Sequence, residues 1–288
     1  MQRRTFLAAA AAAFTQAQAK TAQRVVDTHL HFYDPSRPQG VPWPAKEEKV
    51  LYRTVLPAEF EKLTAPYGVT GAIVVEASPW LEDNQWVLDL AARSPIILGM
   101  VGHLDPGTSE FRRHLARFHR NPLFRGIRVN GDAISKGLQQ KEFLEDLSRL
   151  AEADLELDVI GNTAMLPVLV RLTDRLPKLR IVINHLPFDW PSPPPALKEL
   201  GQRPQVYAKV SGVLRKNGGN YQRSLDELWD AFGPDHVVYG SNWPVSDLVG
   251  PYDAVFRVVH EYFEKKGPEA AEKYFWRNSQ AAYRWVSR

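Results

Sequence analysis

Short runs rich in β-branched residues alternate with amphipathic helical stretches along nearly the whole chain, and this rhythm limits the possible folds more than any other feature. Eight strand candidates can be read: RVVDTHLH (24–31), TGAIVVEAS (70–78), IILGMVGHLD (96–105), FRGIRVN (124–130), LELDVIG (155–161), LRIVINHL (179–186), QVYAKVSGV (205–213) and HVVYGSNW (236–243). Between them lie helical stretches such as DNQWVLDLAARS (83–94) and QQKEFLEDLSRLAEA (139–153). Strands joined by crossovers of this length pair in parallel. Eight such units in roughly 250 residues are the size of a (β/α)8 barrel. A distorted TIM-type barrel forming one domain is therefore expected, and a doubly wound open sheet is the alternative. The final PEAAEKYFWRNSQAAYRW (268–285) reads as an extra helix closing the outer layer.

The amino terminus stands apart from this rhythm. MQRRTFLAAAAAAFTQAQAK opens with Arg3 and Arg4, continues through an alanine-rich apolar run and reaches Ala17-Gln18-Ala19. Paired arginines, a short apolar run and a small-x-small site resemble a twin-arginine export signal. Residues 1–19 are thus expected to be a signal and 20–288 the barrel, acting in the periplasm or beyond. No stretch approaches the roughly 20 apolar residues that span a bilayer. The chain has no cysteine, which excludes disulfides, thiolate metal sites and a cysteine nucleophile. Its net charge of +3 is small for 288 residues, and the run RRHLARFHR (112–120) reads as a solvated helix face, so no nucleic-acid partner is indicated. A small-molecule substrate is the expected partner.

In such barrels the loops after the strands build the site. Polar chemistry stands at every strand end: Asp27, His29 and His31; Glu76; His103 and Asp105; Arg128 and Asn130; Asp158; Asn184 and His185; Lys209 and Ser211; Ser241 and Asn242. Alternation along the first strand places Asp27, His29 and His31 on one face. A funnel lined with imidazoles, carboxylates and fixed cations suits hydrolysis of a polar small molecule. Arg128, Lys209 and His103 are the candidates for substrate binding, the two cations being suited to grip a carboxylate.

The ordered set DTHLHFYDP (27–35), GMVGHLDP (99–106), GIRV (126–129), INHL (183–186), YAKVSGV (207–213) and YGSNWPVSD (239–247) resembles the amidohydrolase-related family of the amidohydrolase superfamily. It is most similar to the branch of pyrone-dicarboxylate and sugar-acid lactonases. The resemblance implies His29, His31 and His185 grouped at the barrel mouth, polarising a carbonyl directly or holding one divalent metal, zinc above others. It also implies lactone hydrolysis on a carboxylated or polyhydroxylated compound. The strand-eight motif departs from the family pattern: where relatives carry the aspartate that serves as base, this chain has Asn242. An amide cannot accept a proton at neutral pH. Three repairs stay open: Glu76, Asp247 or Asp27 serves as base, a metal activates the water, or hydrolysis is lost. The alternatives in function are therefore a metal-dependent decarboxylase and a non-catalytic periplasmic binder.

Overall fold

The computed structural model describes residues 24–186, 192–215 and 221–288. The export signal expected over residues 1–19 lies outside the described residues. Among those residues the chain runs β1 (Val25–Leu30), α1 (Pro57–Thr64), β2 (Val69–Val75), α2 (Leu81–Arg93), β3 (Ile97–Gly102), α3 (Phe111–Phe118), β4 (Phe124–Asn130), α4 (Gly131–Gly137), α5 (Lys141–Glu152), β5 (Glu156–Ile160), α6 (Leu166–Arg175), β6 (Arg180–Leu186), α7 (Pro195–Gly201), β7 (Val206–Val210), α8 (Tyr221–Phe232), β8 (Val237–Tyr239), α9 (Tyr252–Lys265), α10 (Pro268–Glu272), a π-helical turn (Lys273–Arg277) and α11 (Asn278–Tyr283). The strands form one eight-stranded parallel sheet in sequential order. The expected (β/α)8 barrel is the observed architecture.

Strands covered on both faces are buried at every position, as β1 and β3 are; β3 is apolar throughout, whereas β1 also buries Asp27, Thr28 and His29. The helices satisfy the outer face with helical spacing, as when α5 buries Phe143, Leu147 and Leu150 and α9 buries Val255, Phe256, Val259 and Phe263. The inner face packs separately: Val26, Ile73, Val75, Leu98, Val101, Val182 and Val238 form a cluster with Ala282, Tyr283 and Trp285. The carboxy-terminal segment therefore does more than complete the outer layer. Its Tyr274 stacks on Phe263 with ring centroids 3.5 Å apart, while Tyr283 and Trp285 stopper the barrel interior.

The closure between β8 and β1 differs from the other seven joints. The described ladder stops at β8, and one isolated bridge, Leu30 with Trp243, links the two edges. Other hydrogen bonds complete the seam. The backbone N–H of Asn242 donates to the His29 carbonyl at 2.7 Å, that of His31 to Trp243 at 2.9 Å, and Thr28 Oγ1 to the Tyr239 carbonyl at 2.5 Å. Asp27 Oδ1 accepts from the N–H groups of Ser241 (2.9 Å) and His29 (3.1 Å), and Tyr252 of α9 donates to Oδ2 at 3.4 Å. Asp27 thus does not join the two histidines on one face. The register shifts between Asp27 and Leu30, which breaks the simple alternation and turns this carboxylate toward the seam.

Burial pushes the Asp27 carboxyl up to about 6, against the hydrogen bonds that lower it. Because the folded value exceeds the unfolded one of 3.8, the folded state binds the extra proton between them. This contribution to stability is therefore greatest at low pH and falls as pH rises through about 6. Asp27→Asn keeps the Oδ1 acceptor without the charge, so its stability should improve relative to wild type between pH 5 and pH 8. Asp27→Ala leaves two seam N–H groups unpaired and should cost about 2–4 kcal/mol. Urea denaturation at both pH values checks this; an alanine variant as stable as the asparagine one would contradict it.

Candidate active site

Three imidazoles converge where β1 and β6 end. The rings of His29 and His185 have centroids 4.4 Å apart, and those of His29 and His31 are 5.1 Å apart, edge to face. Gly240 makes the packing of His29 possible, since a Cβ there would stand 2.7 Å from His29 Cβ. Two turns that deliver site residues run through left-handed backbone: His185 and Asn242 both have φ of 61°. Asparagine accepts that region readily and histidine occasionally, whereas a β-branched residue would be strained.

The ring nitrogens have distinct environments. His31 Nδ1 lies 3.0 Å from the Val75 carbonyl, which can only accept, so that nitrogen carries the proton. His185 Nδ1 lies 3.0 Å from Ser211 Oγ, which already accepts from the His185 backbone N–H at 3.2 Å. His29 is fully buried, and neither ring nitrogen finds a partner among the described residues. Burial, followed by the nearby Arg128 charge, lowers His31 and His185 to about 3. Burial and then the charges of His185 and Lys209 hold His29 well below the ordinary histidine value as well. All three are neutral at pH 7.

The two expected cations are both engaged. Arg128 donates through Nε to Glu76 Oε1 and through Nη2 to the Glu76 carbonyl, each at 2.8 Å. Lys209 Nζ lies completely buried, 2.6 Å from Asp158 Oδ2 and 3.4 Å from Asn184 Oδ1. Tyr283 donates to the other Asp158 oxygen at 2.9 Å. Lys209 is thus anchored in the barrel interior rather than offered at the mouth. Glu156, one turn of pleat below Asp158, is also buried; desolvation and then the Asp158 charge raise it well above the usual carboxylate range.

The structure brings together His29, His31, His185, Arg128 and Glu76. Asp247 does not join this arrangement through its ion pair: the short turn Val245–Leu248 carries it to Arg53, 3.4 Å away. His103 stands on the rim, paired with Asp105 at 3.2 Å and held through its backbone by Asn84 on both N–H and C=O. Asn242 contributes its backbone to the seam and lines a mainly apolar cavity of about 170 Å³ with Val213, Leu214 and Val245. Trp43, whose ring lies 5.8 Å from that of His31, was not legible from the sequence because it sits in an irregular loop without periodicity.

Three neutral imidazoles are chemically suited to zinc. Among the described residues, as they are placed, no group of three His, Asp or Glu side chains forms the ligand set of one ion.

Against this geometry the comparisons are consistent. The Amidohydro_2 model, described as amidohydrolase, matches residues 26–285. The chain belongs to this amidohydrolase family. It is 29% identical over 285 residues to an L-fucono-1,5-lactonase of Burkholderia ambifaria, covering 90% of this chain and 95% of that protein. An amidohydrolase of Burkholderia multivorans, crystallised with bound zinc, superposes with a TM-score of 0.81 at 24% identity over 91% of this chain and 99% of its own. A candidate 2-pyrone-4,6-dicarboxylic acid hydrolase of Pseudomonas putida gives 0.69 at 20% identity, over 91% and 97%.

The left-handed turn at Asn242 yields a direct test. Asn242→Asp should keep the fold, because aspartate also tolerates this region, whereas Asn242→Val should lose about 1–3 kcal/mol. Equilibrium unfolding measures both; a valine variant as stable as wild type would show that the turn imposes no such constraint.

Proposed function

We propose that this protein is a hydrolase that opens the cyclic ester of a polar lactone. The observation that carries the mechanism is the lock on His31. With Nδ1–H held by the Val75 carbonyl, the neutral ring leaves Nε2 as a bare acceptor, the state a general base needs. In this reading His31 takes a proton from water only as the water oxygen attacks the lactone carbonyl carbon, the oxyanion that forms beside it offsetting the positive charge that burial and Arg128 otherwise disfavour on that ring.

His185 and His29 polarise that carbonyl. With Ser211 donating its hydroxyl hydrogen bond to His185 Nδ1, the Nε2 of that neutral ring carries the N–H that meets the developing oxyanion. Arg128 adds a fixed positive end nearby, as its effect on both His31 and His185 indicates. Collapse of the tetrahedral intermediate breaks the ring C–O bond, and the His31 imidazolium returns its proton to the leaving alkoxide. The product is a hydroxy acid, which releases one proton at neutral pH and no carbon dioxide. Resemblance to an L-fucono-1,5-lactonase supports this reading over decarboxylation.

The base here is an imidazole rather than Glu76 or Asp247, which are engaged by Arg128 and Arg53. Arg3-Arg4 and Ala17-Gln18-Ala19 support export of the protein by a twin-arginine route, so that it acts outside the cytoplasm. No helix among the described residues is long and apolar enough to cross a membrane.

A pH-indicator assay over aldono-1,5-lactones and 2-pyrone-4,6-dicarboxylate tests the proposal. Proton release without carbon dioxide is expected, it should survive exhaustive chelation, and His31→Gln should lower kcat by about 10²–10⁴-fold. Loss of activity on chelation with recovery on adding zinc would contradict the imidazole mechanism. Ligand-induced thermal shifts without turnover of any lactone would favour a binding protein.

A further inference from the structure

Inside the barrel two carboxyl groups face one ammonium. Glu156 and Asp158 alternate on β5, so both side chains point to the same interior face, and both are completely buried together with Lys209. Each Asp158 oxygen has a donor: Oδ2 takes Lys209 Nζ at 2.6 Å and Oδ1 the Tyr283 hydroxyl at 2.9 Å. Neither Glu156 oxygen receives a hydrogen bond among the described residues. Its carboxyl lies against bare backbone, where a Cβ on Gly126 would collide with Oε1, and its hydrogen-bonding neighbour is the Asp158 carboxylate. The nearby guanidinium groups are committed elsewhere. Arg125 of β4 donates to the carbonyls of Pro122, Tyr283 and Asp154, and Arg180 of β6 to Asp154 and the Ala282 carbonyl.

Two charged carboxylates beside one lysine would leave an unmatched negative charge in a buried space, and two acceptors would abut with no hydrogen between them. A proton on Glu156 removes both faults. Asp158 then accepts from Glu156, Tyr283 and Lys209 together, and the cluster is electrically neutral. Lys209 also reaches Asn184 Oδ1 at 3.4 Å, one residue before the left-handed turn that delivers His185, and a Cβ on Gly240 would touch both the Lys209 stem and His29. We propose that Glu156 is a positioning residue kept as the neutral acid: its carboxyl proton bridges to Asp158, which leaves that carboxylate to hold Lys209, undivided, beneath the histidine trio. An ionised Glu156 would compete for the ammonium and draw it away from Asn184. Burial and the Asp158 charge act in the same direction, toward the neutral acid. The claim concerns the barrel interior and holds whether or not the site opens a lactone.

Glu156→Gln supplies an N–H to Asp158 without a titrating group. The ratio of unfolding constants, wild type over Glu156→Gln, should rise about tenfold per pH unit from pH 5.5 to pH 7.5, because the wild-type fold binds a proton that the unfolded glutamate, at its ordinary value of 4.5, has lost. Asp27 is common to both proteins and cancels. Infrared spectra at pH 7.5 should show a protonated carboxyl stretch in wild type and in Asp27→Asn that is missing from Glu156→Gln. Nitrogen-15 spectra of the lysine ammonium groups read the surroundings of Lys209, its signal assigned by loss in Lys209→Met. That signal should stay in place in Glu156→Gln and move in Glu156→Leu, which cannot donate. A ratio independent of pH, a wild type without the carboxyl band, or a band that survives in Glu156→Gln overturns the proposal. So does a Lys209 signal that leucine leaves unmoved or that glutamine shifts as far. If the leucine variant fails to fold, the pH slope and the infrared band decide.

Discussion

The seam between the last and first strands is the constraint on which the rest of the structure depends. Seven joints of the barrel are parallel ladders, some with register shifts, but β8 is only three residues long and the edge it offers to β1 is short. Closure falls to Asp27, Thr28 and the backbone of residues 29–31 and 239–243. Those same residues include His29, His31 and Asn242. Site geometry and barrel closure are therefore one set of hydrogen bonds, and the left-handed turn at Asn242 is the form the backbone takes to complete them. The buried Asp27 carboxylate is a costly way to hold a seam, yet one oxygen satisfies two N–H groups that a short strand would otherwise leave without partners.

Electrostatics inside the barrel follow from burial. Three imidazoles sit together in a space where a charge is expensive and where Arg128 and Lys209 add positive potential, so each stays neutral. Neutrality gives the site its chemistry: a fixed tautomer makes one ring an acceptor, and the others can donate. The two cations are balanced by Glu76 and Asp158, so the site gains dipoles and directed donors rather than net charge.

Much of this was legible in the sequence. Strand rhythm and crossover length were sufficient for the barrel, because parallel strands buried on both faces leave a long apolar signal. The histidine trio followed from the ordered motifs, and the structure places the rings of His31 and His185 each paired with that of His29. What could not be read was partnership across the barrel. Nothing local in Lys209 or Arg128 shows that Asp158 and Glu76 engage them, and alternation misplaced Asp27 because a register shift has no mark in composition. The inward turn of Tyr283 and Trp285 was hidden for a similar reason, since an aromatic stripe looks alike whether it covers a barrel or plugs it.

The central claim is that His31 is a neutral ring with its proton fixed on Nδ1 by the Val75 carbonyl. Nitrogen-15 spectroscopy of the imidazoles measures this directly, with the His31 signals assigned by their loss in His31→Gln. The account predicts one protonated Nδ1 and one bare Nε2 from pH 8 down to pH 5, with no midpoint near the ordinary histidine value of 6.5. A doubly protonated His31 at pH 6, or a ring carrying its proton on Nε2, would contradict it.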